Sequence, residues 1–385
     1  MTDLFTEVAS QSWGHRLIES IKGVLVGLVL FLASFPLLWW NEGRAVQTAR
    51  SLDEGAASVL SVPSDRVEPA NEGKLVHVAG PATTDETLSD NLFGVTAQTL
   101  RLVRSVDMLQ WTEEQRSEKQ KELGGSEKTV TTYSYAKKWS NKLVDSSKFK
   151  DPTGHSNPTT WRYNELDTAA RNAHLGAFHV PETLLKKLSK LDPLPLDTAM
   201  LARAPNSAGI DANAYFVGTD LGNPQVGDLR ISYRVLRPQT LSVVAQQVGN
   251  TFQAFRAKAG DDVLLIEAAN LDAKTMFQTA SSANVTLTWV LRGVGFLLMT
   301  LGLSLLLRPL VVVADFIPMI GSLVGLSATL FASVIAFALS TLTIGVAWIA
   351  VRPLLGAAVL TLALGGIIAV IALAIRSRKQ RRARA

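Results

Sequence analysis

The sequence predicts a polytopic α-helical membrane protein of four spans, with a large extracytoplasmic α+β, strand-rich domain between spans one and two. Two observations predict this class. Uncharged apolar runs lie at the two ends of the 385-residue chain, at 23–40, 316–351 and 353–375. Between them, residues 41–288 are mixed and polar, and no bilayer interior would accept them. We therefore expect one substantial water-facing domain that is attached to the membrane at both ends.

Composition limits the possible functions. The chain has no cysteine, which excludes thiol catalysis, disulfides and cysteine-ligated metal. The formal net charge is +5, and its excess of positive charge is concentrated in the tail, 376–385. A basic tail after an apolar span favours the cytoplasmic side and contact with anionic lipid headgroups, and we expect no nucleic-acid partner. The tail residues predicted to contact headgroups are Arg376, Arg378, Lys379, Arg381, Arg382 and Arg384.

Residues 1–22 are predicted to form an amphipathic interfacial helix. Apolar residues recur every four positions there, and charged residues fall elsewhere around the helix. Packing against the cytoplasmic ends of the spans would explain the same pattern. The residues are Phe5, Ala9, Trp13, Leu17 and Ile21. Span one, 23–40, ends in two tryptophans and lacks a cleavage motif, which favours an uncleaved anchor over a signal peptide.

Spans two, three and four are predicted at 289–308, 323–351 and 353–375. Arg292 is expected to snorkel outward from the edge of span two. Two short spans between residues 309 and 351 would give five in all and place the basic tail outside, which the positive-inside tendency disfavours. We therefore expect both termini to be cytoplasmic, and residues 41–288 to lie in the periplasm.

The segment 309–322 is predicted to be an interfacial connector that contains Asp315 and Pro318. Asp315 is the only residue that would support a transport or pore function. Small residues spaced four apart favour close helix contacts, either between subunits or within one subunit. They are Gly23 and Gly27 in span one, and Gly321 and Gly325 around the start of span three.

Strands are predicted to dominate the water-facing domain, because several stretches alternate or are rich in β-branched and aromatic residues. They are 74–79, 99–110, 129–135, 229–236 and 240–247. Residues 181–188 and 271–288 favour helix, and the second helix is expected to continue into span two. The charged stretch 113–128 is a hairpin tip or a short exposed helix. A Pro- and Ala-rich break at 191–209 divides two possible subdomains.

No catalytic, cofactor or metal site is predicted. The five histidines have no metal-ligand spacing. A Ser-Lys nucleophile at Ser146, Ser147 and Lys148 is possible, but a surface turn explains these residues better. Five aromatic residues either line a lipid or glycan pocket or form part of a sheet core, and the core is favoured. They are Trp111, Tyr133, Tyr135, Trp139 and Trp161.

Several motifs along the chain resemble one family in both content and order. They are Ser12-Trp13-Gly14, 39–45, 71–76, 104–111, 133–139, 155–158, 227–230 and the 308–321 connector. Together they resemble the LUMA family of four-span transmembrane proteins, also called the transmembrane protein 43 family. The resemblance implies four spans, a large domain between the first two, no catalytic residue and self-association. The missing cysteine, abundant alanine and arginine-rich end indicate a bacterial member in the inner membrane.

The leading hypothesis is a non-enzymatic, self-associating membrane scaffold that presents its extracytoplasmic domain to protein or lipid partners. The protein partners cannot be identified from the sequence. A second hypothesis is a protein that binds or transfers a lipid or another amphiphile. A third, a membrane-anchored hydrolase, would depend on Lys148 or His155.

Overall fold

The computed structural model describes residues 3–196, 207–211, 213–351, 361–362 and 365–366. The chain divides into two compact units. The first comprises Met1–Glu7, Ser51–Ser117 and Thr131–Ala280, and the second comprises Val8–Arg50, Glu118–Val130 and Ser281–Ala385. The second unit therefore contains the apolar helices and a short segment from the middle of the chain.

Four helices are described: α1 (Trp13–Ser58), α2 (Glu182–Leu185), α3 (Ala273–Ala314) and α4 (Pro318–Val351). Within the described residues, α1, α3 and the Gly321–Ile349 part of α4 are long and apolar enough to cross a membrane. The strand-rich region lies between the first two of them in the sequence, as predicted. The predicted span four, 353–375, falls almost wholly outside the described residues, and the basic tail falls entirely outside them.

The N-terminal prediction is wrong over its first half. Residues Asp3–Gln11 form a strand, β1, and the helix begins only at Trp13. A four-residue period over so short a stretch does not exclude a strand. Pairing with a neighbouring strand can override weak local helix preference. The apolar face of Trp13, Leu17 and Ile21 is helical as expected.

The predicted boundaries of the connector are also wrong. We expected span two to end near Arg308, but α3 continues through Pro309 to Ala314. A proline inside a helix removes one backbone hydrogen bond, a loss that membrane helices tolerate when neighbouring groups compensate. α1 likewise continues through Pro36. The connector predicted at 309–322 shrinks to the three residues between α3 and α4.

One sheet has the strand order β1-β7-β6-β14-β13-β12, with β11 paired to β14 and β8 to β6. Its strands are β6 (Arg101–Lys121), β7 (Glu127–Ser140), β8 (Leu166–Ala169), β11 (Asp192–Pro193), β12 (Ser207–Asp211), β13 (Ala214–Val217) and β14 (Leu229–Leu236). β6 and β14 are antiparallel, with Val106 opposite Ile231. The charged stretch 113–128 is thus the end of a long β6–β7 hairpin, as the first of the two predicted alternatives had it.

A second sheet has the order β19-β15-β16-β10-β9-β3-β2, with an additional β15–β3 pairing. Its strands are β2 (Leu60–Val62), β3 (Leu75–Thr84), β9 (Ala173–Leu175), β10 (Phe178–Val180), β15 (Gln239–Val248), β16 (Thr251–Gln253) and β19 (Leu265–Glu267). Two small sheets pair β4 (Thr87–Asp90) with β5 (Val95–Gln98) and β17 (Phe255–Arg256) with β18 (Asp262–Val263).

The main apolar core belongs to the first unit and draws on both large sheets. Alternate residues of β6 and β14 enter it from one sheet, and residues of β3 and β15 enter it from the other. This is the pattern expected when each sheet buries one face. All five predicted strand segments overlap strands, but 74–79 and 99–110 begin one and two residues before β3 and β6. The predicted helix at 181–188 is a single turn, α2. The predicted helix at 271–288 does continue into α3.

Candidate functional site

The corner between α3 and α4 brings charged side chains together in the second unit. α3 ends at Ala314 and α4 begins at Pro318. At the end of α3 the Phe316 and Ile317 amides each donate to the carbonyl three residues earlier, at 3.4 and 3.3 Å. Such bonds tighten the last turn and are common at helix termini. A proline has no N–H to leave unpaired, so it is suited to the first turn of the next helix. The corner itself is Asp315–Ile317.

Asp315 is buried at this corner, with 1% of its surface exposed, and is paired through both carboxylate oxygens. Arg16 Nη2 donates to Oδ2 at 2.6 Å, and Lys121 Nζ donates to Oδ1 at 2.6 Å. Arg16 is itself buried and also donates to the Gly125 carbonyl at 2.6 Å. Its guanidinium lies 3.3 Å from Glu127. We call Arg16, Lys119, Lys121, Glu127 and Asp315 the corner cluster.

The tip of the β6–β7 hairpin is held against the corner by backbone contacts as well. The Gly124 N–H donates to the Phe316 carbonyl at 3.2 Å. Trp13 Nε1 donates to the Val312 carbonyl at 2.9 Å, an acceptor left without its usual partner when the last turn of α3 tightens. Gly125 has a φ of +79°, and a Cβ there would lie 3.0 Å from Trp13 Cγ. Glycine is therefore required at this position for two reasons.

The corner cluster joins three parts of the chain that are far apart in sequence. Arg16 comes from the first turn of α1, Lys121 ends β6 and Glu127 begins β7. Lys119 completes the cluster with a 3.1 Å ion pair to Glu127. Removing one member of a buried ion pair leaves an uncompensated charge, which is strongly destabilising. Because Asp315 is charge-paired on both oxygens, the arrangement is suited to a structural clamp rather than to acid–base catalysis.

A second charged cluster lies further along α1, around Glu42. The Glu42 carboxylate is 1% exposed and accepts two hydrogen bonds from Arg292 of α3, at 2.7 and 2.8 Å. Trp348 Nε1 of α4 donates to the same carboxylate. The Arg292 guanidinium also lies over the Trp289 ring, 4.7 Å from its centroid. The prediction that Arg292 snorkels outward is therefore wrong, because its charge is paired inside the helix bundle.

Polar side chains next to this cluster connect α1 and α3. Asn41 Nδ2 donates to the Thr288 carbonyl at 3.1 Å. Arg44 donates to Asn284 Oδ1 at 2.9 Å and to Thr288 Oγ1 at 3.0 Å. Asn284 in turn donates to the Ala45 carbonyl at 2.9 Å. These bonds fix the two helices where the strand-rich region begins and ends in the sequence.

Between the two clusters α1 and α3 pack closely, with small residues at the contact. A Cβ on Gly27 would lie 2.8 Å from the Gly302 carbonyl, and one on Gly302 would lie 2.6 Å from the Phe31 amide. Leu38, Met299 and Ala336 form a small buried core between α1, α3 and α4. The two helices are antiparallel, since Arg16 pairs with Asp315 and Glu42 with Arg292.

The four glycines predicted to mediate helix contacts differ in how closely other elements of the same chain approach them. Gly27 lies against α3, as described above, and a Cβ on Gly23 would lie 4.0 Å from Leu305. A Cβ on Gly321 would lie 2.5 Å from Asp315 Cα, and one on Gly325 would lie 3.3 Å from a Val311 methyl. These glycines therefore explain packing within one chain, while their part in oligomerisation stays a prediction. Pro318, the other connector residue, begins α4.

Lys148 and His155, the residues that a hydrolase would need, lie in the first unit. The Lys148 side chain is exposed and pairs with Asp145 at 3.1 Å. The His155 ring is buried and stacks on Tyr135, with the ring centroids 3.9 Å apart. Burial and a hydrogen bond from the Tyr135 hydroxyl to Glu113 raise the pKa of Tyr135 to about 12. This arrangement is a packed aromatic core around a histidine.

The other predicted aromatic residues pack in the same unit. The Trp111 ring is 4.8 Å from that of His155, and the Trp139 ring is 6.4 Å from that of Phe216. Trp161 packs against the main core. A cavity of about 360 Å³ lies among residues 143–159 of the same unit, and none of the five aromatic residues lines it. The Tyr133 ring lies 6.1 Å from that of Phe5. All five aromatic residues therefore pack against other side chains, which agrees with the favoured alternative.

No group of three or more histidine, aspartate and glutamate side chains in the described residues could hold a metal ion. The sequence did not predict the corner cluster, apart from Asp315 and the alternative in which the 1–22 segment packs against the cytoplasmic ends of the spans. Lys121 and Glu127 lie in a stretch of charges that looks solvated, and no local signal separates them from their neighbours.

Comparison with known proteins gives consistent matches along most of the chain. A family model described as transmembrane protein 43 matches residues 108–353. Transmembrane protein 43 of Rattus norvegicus is 35% identical over 366 residues, which cover 92% of this chain and 90% of that protein. The Homo sapiens protein is 34% identical over 352 residues, covering 88% and 87%. A homolog from Drosophila melanogaster is 30% identical over 348 residues, covering 87% and 90%. No solved structure matches this chain.

Proposed function

The chain belongs to the transmembrane protein 43 family, and from this premise we propose that it is a non-enzymatic membrane-organising scaffold. In this proposal the protein self-associates and presents an extracytoplasmic domain to protein or lipid partners. Its relatives are named as transmembrane proteins, and three apolar helices make it a membrane protein. A scaffold needs a firm mechanical connection in its membrane part more than it needs a reactive group.

The corner cluster is the observation that carries this proposal. It fixes a hairpin tip from the middle of the chain onto the ends of α1 and α3 through buried ion pairs. The Glu42 cluster fixes α1, α3 and α4 in the same way. In both places, charged side chains that could serve a substrate are instead used to hold elements together.

The proposed topology has four spans, with 353–375 as the fourth, and places both termini in the cytoplasm. Residues 41–288 would then face the periplasm of a bacterial inner membrane. The basic tail, 376–385, would contact anionic lipid on the cytoplasmic side. Fusing a reporter that is active only in the cytoplasm after residue 385 tests this topology. A periplasmic C-terminus would contradict the four-span proposal.

Self-association is tested best in native membranes and at several expression levels. We expect photobleaching of single fluorescent complexes to give more than one step, and the mean step number to stay constant as expression falls. Purification into nanodiscs with native lipid, followed by mass measurement, gives the subunit number. A monomer under both conditions would end the scaffold proposal. Gly27→Leu is not a selective variant for this purpose, because Gly27 packs against Gly302 within the chain.

A second candidate function, binding or transfer of an amphiphile, is favoured by an apolar groove between α1 and α4. The groove has a volume of about 400 Å³ and lies next to Pro36. Its lining residues are Phe35, Pro36, Trp39, Leu342, Thr343 and Val346. Volumes of this size accommodate small apolar ligands. Native mass spectrometry would show a retained lipid, and Val346→Trp, which fills the groove, should release it.

The hydrolase proposal has the least structural support. Lys148→Ala and His155→Ala should leave any measured hydrolytic activity of the purified protein unchanged. Loss of such an activity in either variant, with the fold intact, would restore the enzyme hypothesis.

A further inference from the structure

The antiparallel helix pair α1–α3 has two ends, and the chain that connects the two helices reaches both. At one end Asn41 contacts Thr288, and Arg44 contacts Asn284, where the connecting segment begins and ends. At the other end Arg16 contacts Asp315 and the carbonyl of Gly125, which lies in the middle of that segment. A simple loop on one side of a helix pair would not touch the far end.

The position of the hairpin tip matters because both helices are candidate membrane spans. The uncharged run 23–40 is about 27 Å long at about 1.5 Å per residue, close to the roughly 30 Å of a hydrocarbon core. If α1 and α3 cross the membrane, their two ends lie on opposite faces. The Arg16 end and the Asn41 end then face different compartments, and Gly125 lies with Arg16.

We infer that the β6–β7 hairpin crosses the hydrocarbon layer beside α1 and α3, at an interface with neighbouring copies of this chain. Its tip, residues 122–126, then lies on the face of Arg16 and Asp315, opposite to Asn41 and Asn284. The inference rests on the proposed crossing and self-association. It moves the hairpin strands into the hydrocarbon layer and the tip to the opposite face. Because β1 pairs with β7 and leads into α1, β1 follows the same path, and the N-terminus then lies on the face of Asn41 instead of in the cytoplasm.

The strands are long enough for this path. A tilted transmembrane strand needs roughly 9–11 residues. β6 ends at Lys121 and β7 begins at Glu127, and the two extend back to Arg101 and Ser140. From Trp111 to Lys121, β6 alone covers about 36 Å at roughly 3.3 Å per residue. Length therefore does not limit a crossing.

Polarity decides what must surround the hairpin. Residues 114–123 are exposed in the single chain, and many of them are charged. Lipid cannot satisfy polar strand edges, so non-helical backbone at membrane depth occurs only where protein buries it or where it lines water. A lone subunit would place Glu114, Gln115 and Glu118 in hydrocarbon. Neighbouring copies, each contributing the same polar hairpin, would enclose these residues around a shared hydrated space.

The absence of native cysteine makes the side of the membrane directly measurable with single-cysteine variants. Leu123→Cys reports the tip, where Leu123 is 86% exposed. Gly14→Cys and Gly43→Cys report the two helix ends, since a Cβ at either glycine meets nothing within 4 Å. The assay is labelling by a membrane-impermeant maleimide, in sealed vesicles of known orientation that carry the full chain.

We expect Leu123→Cys to react at least tenfold faster from the side that labels Gly14→Cys, and Gly43→Cys to react from the opposite side. Labelling of the tip together with Gly43, or from neither side, overturns the inference. Labelling of all three from one side also overturns it, because α1 would then not cross. Carbodiimide treatment of the unmodified protein in membranes should join Lys121 to Asp315, and mass spectrometry of peptides detects the product. Its absence would show that the tip is not docked in the membrane.

The role of neighbouring copies is tested separately with Gln115→Cys. Oxidation in native membranes should produce covalent dimers through this strand at least tenfold more efficiently than through Leu221→Cys, an exposed residue outside the hairpin. Equal efficiencies would remove the interface at the hairpin. If the tip labels with Gly43 while oligomers persist, only this inference fails. If the protein is a monomer in membranes, the proposed scaffold function fails as well.

Discussion

Replacing Asp315 with asparagine should release the hairpin tip from the helix corner. The change keeps the size of the side chain but removes the one charge that Arg16 and Lys121 share, at 2.6 Å each. Arg16 would keep its hydrogen bond to the Gly125 carbonyl, and its remaining charged partner would be Glu127 at 3.3 Å. Because Asp315 and Arg16 are both buried, the loss belongs to the class of broken buried ion pairs.

Such losses cost roughly 3–5 kcal/mol when one charge is left uncompensated. Lys121 is partly exposed and can recover hydration, so we take the lower end, about 3 kcal/mol. At about 1.4 kcal/mol per factor of ten, the open population of the tip should rise by about two orders of magnitude. Trypsin needs a locally unfolded backbone, so Lys119 and Lys121 become cleavable when the tip opens.

The assay is native-state proteolysis in lipid nanodiscs at low trypsin, where cleavage follows the open population. We expect cleavage between residues 119 and 122 to be about 100-fold faster in Asp315→Asn. Asp262→Asn is the matched control, because its partner Arg256 lies 3.1 Å away on an exposed surface. Exposed pairs contribute little, so this variant should stay within a few-fold of the parent protein. An acceleration below tenfold in Asp315→Asn, or an equal one in the control, would refute the clamp.

Three further predictions concern stability. Gly321→Ala should lower the midpoint of thermal unfolding in detergent, because a Cβ there would lie 2.5 Å from Asp315 Cα. The control Gly14→Ala adds its methyl group in open space and should not change the midpoint. Equal midpoints for the two variants would contradict the close approach at Gly321. Tyr135→Phe removes a hydroxyl that is hydrogen-bonded on both sides and should cost about 1–3 kcal/mol by urea unfolding of the full chain. If Tyr135→Phe left the unfolding transition unchanged, water would have to replace the hydroxyl as the partner of Glu113 and of the Asp151 amide. Hydrogen bonds from Arg101 lower the pKa of Asp167 below its ordinary value of 3.8. The Arg101–Asp167 pair therefore stabilises the fold fully at pH values above 3.8, the pKa in the unfolded chain. This contribution is lost as the pH falls through the lower pKa of the folded protein. Asp167→Asn should therefore reduce the acid sensitivity of unfolding below about pH 4, and an unchanged pH profile would count against it.

The sequence was most informative where one element decides its own structure. The uncharged runs predicted the apolar helices, and alternation predicted strands such as 229–236, because burial of one face leaves a period of two. Prediction from the sequence failed where contacts with distant segments decide the local structure. Asp3–Gln11 is a strand because it pairs with β7, and α3 continues through Pro309 to Ala314 although a proline removes one helix hydrogen bond.

The corner cluster shows the same limit for a site. Asp315 could be singled out as a lone acid at the edge of an apolar segment, and it is the shared partner of Arg16 and Lys121. Its partners could not be singled out, since Lys121 lies 194 positions away among charges that all look solvated. The periodicity of a sequence reports only how residues are arranged on one helix or strand. It therefore cannot predict ion pairs that join three separate elements.

The placement of the two charged clusters on α1 has a physical consequence for how the helices are aligned. Apolar helices in lipid have little hydrophobic reason to prefer one axial offset over another, because lipid chains are as apolar as the helix surfaces. An ion pair between two helices does favour one axial offset. Sliding one helix by a single turn, about 5.4 Å, would separate the two charges and leave both without partners away from water. Arg16 with Asp315 and Glu42 with Arg292 fix α1 against α3 at two separate points. Gly27 and Gly302 can then meet at backbone distance between them. The glycines permit the close approach, but the charges select the alignment at which it occurs, and the same alignment places Asp315 where the hairpin tip can bind it.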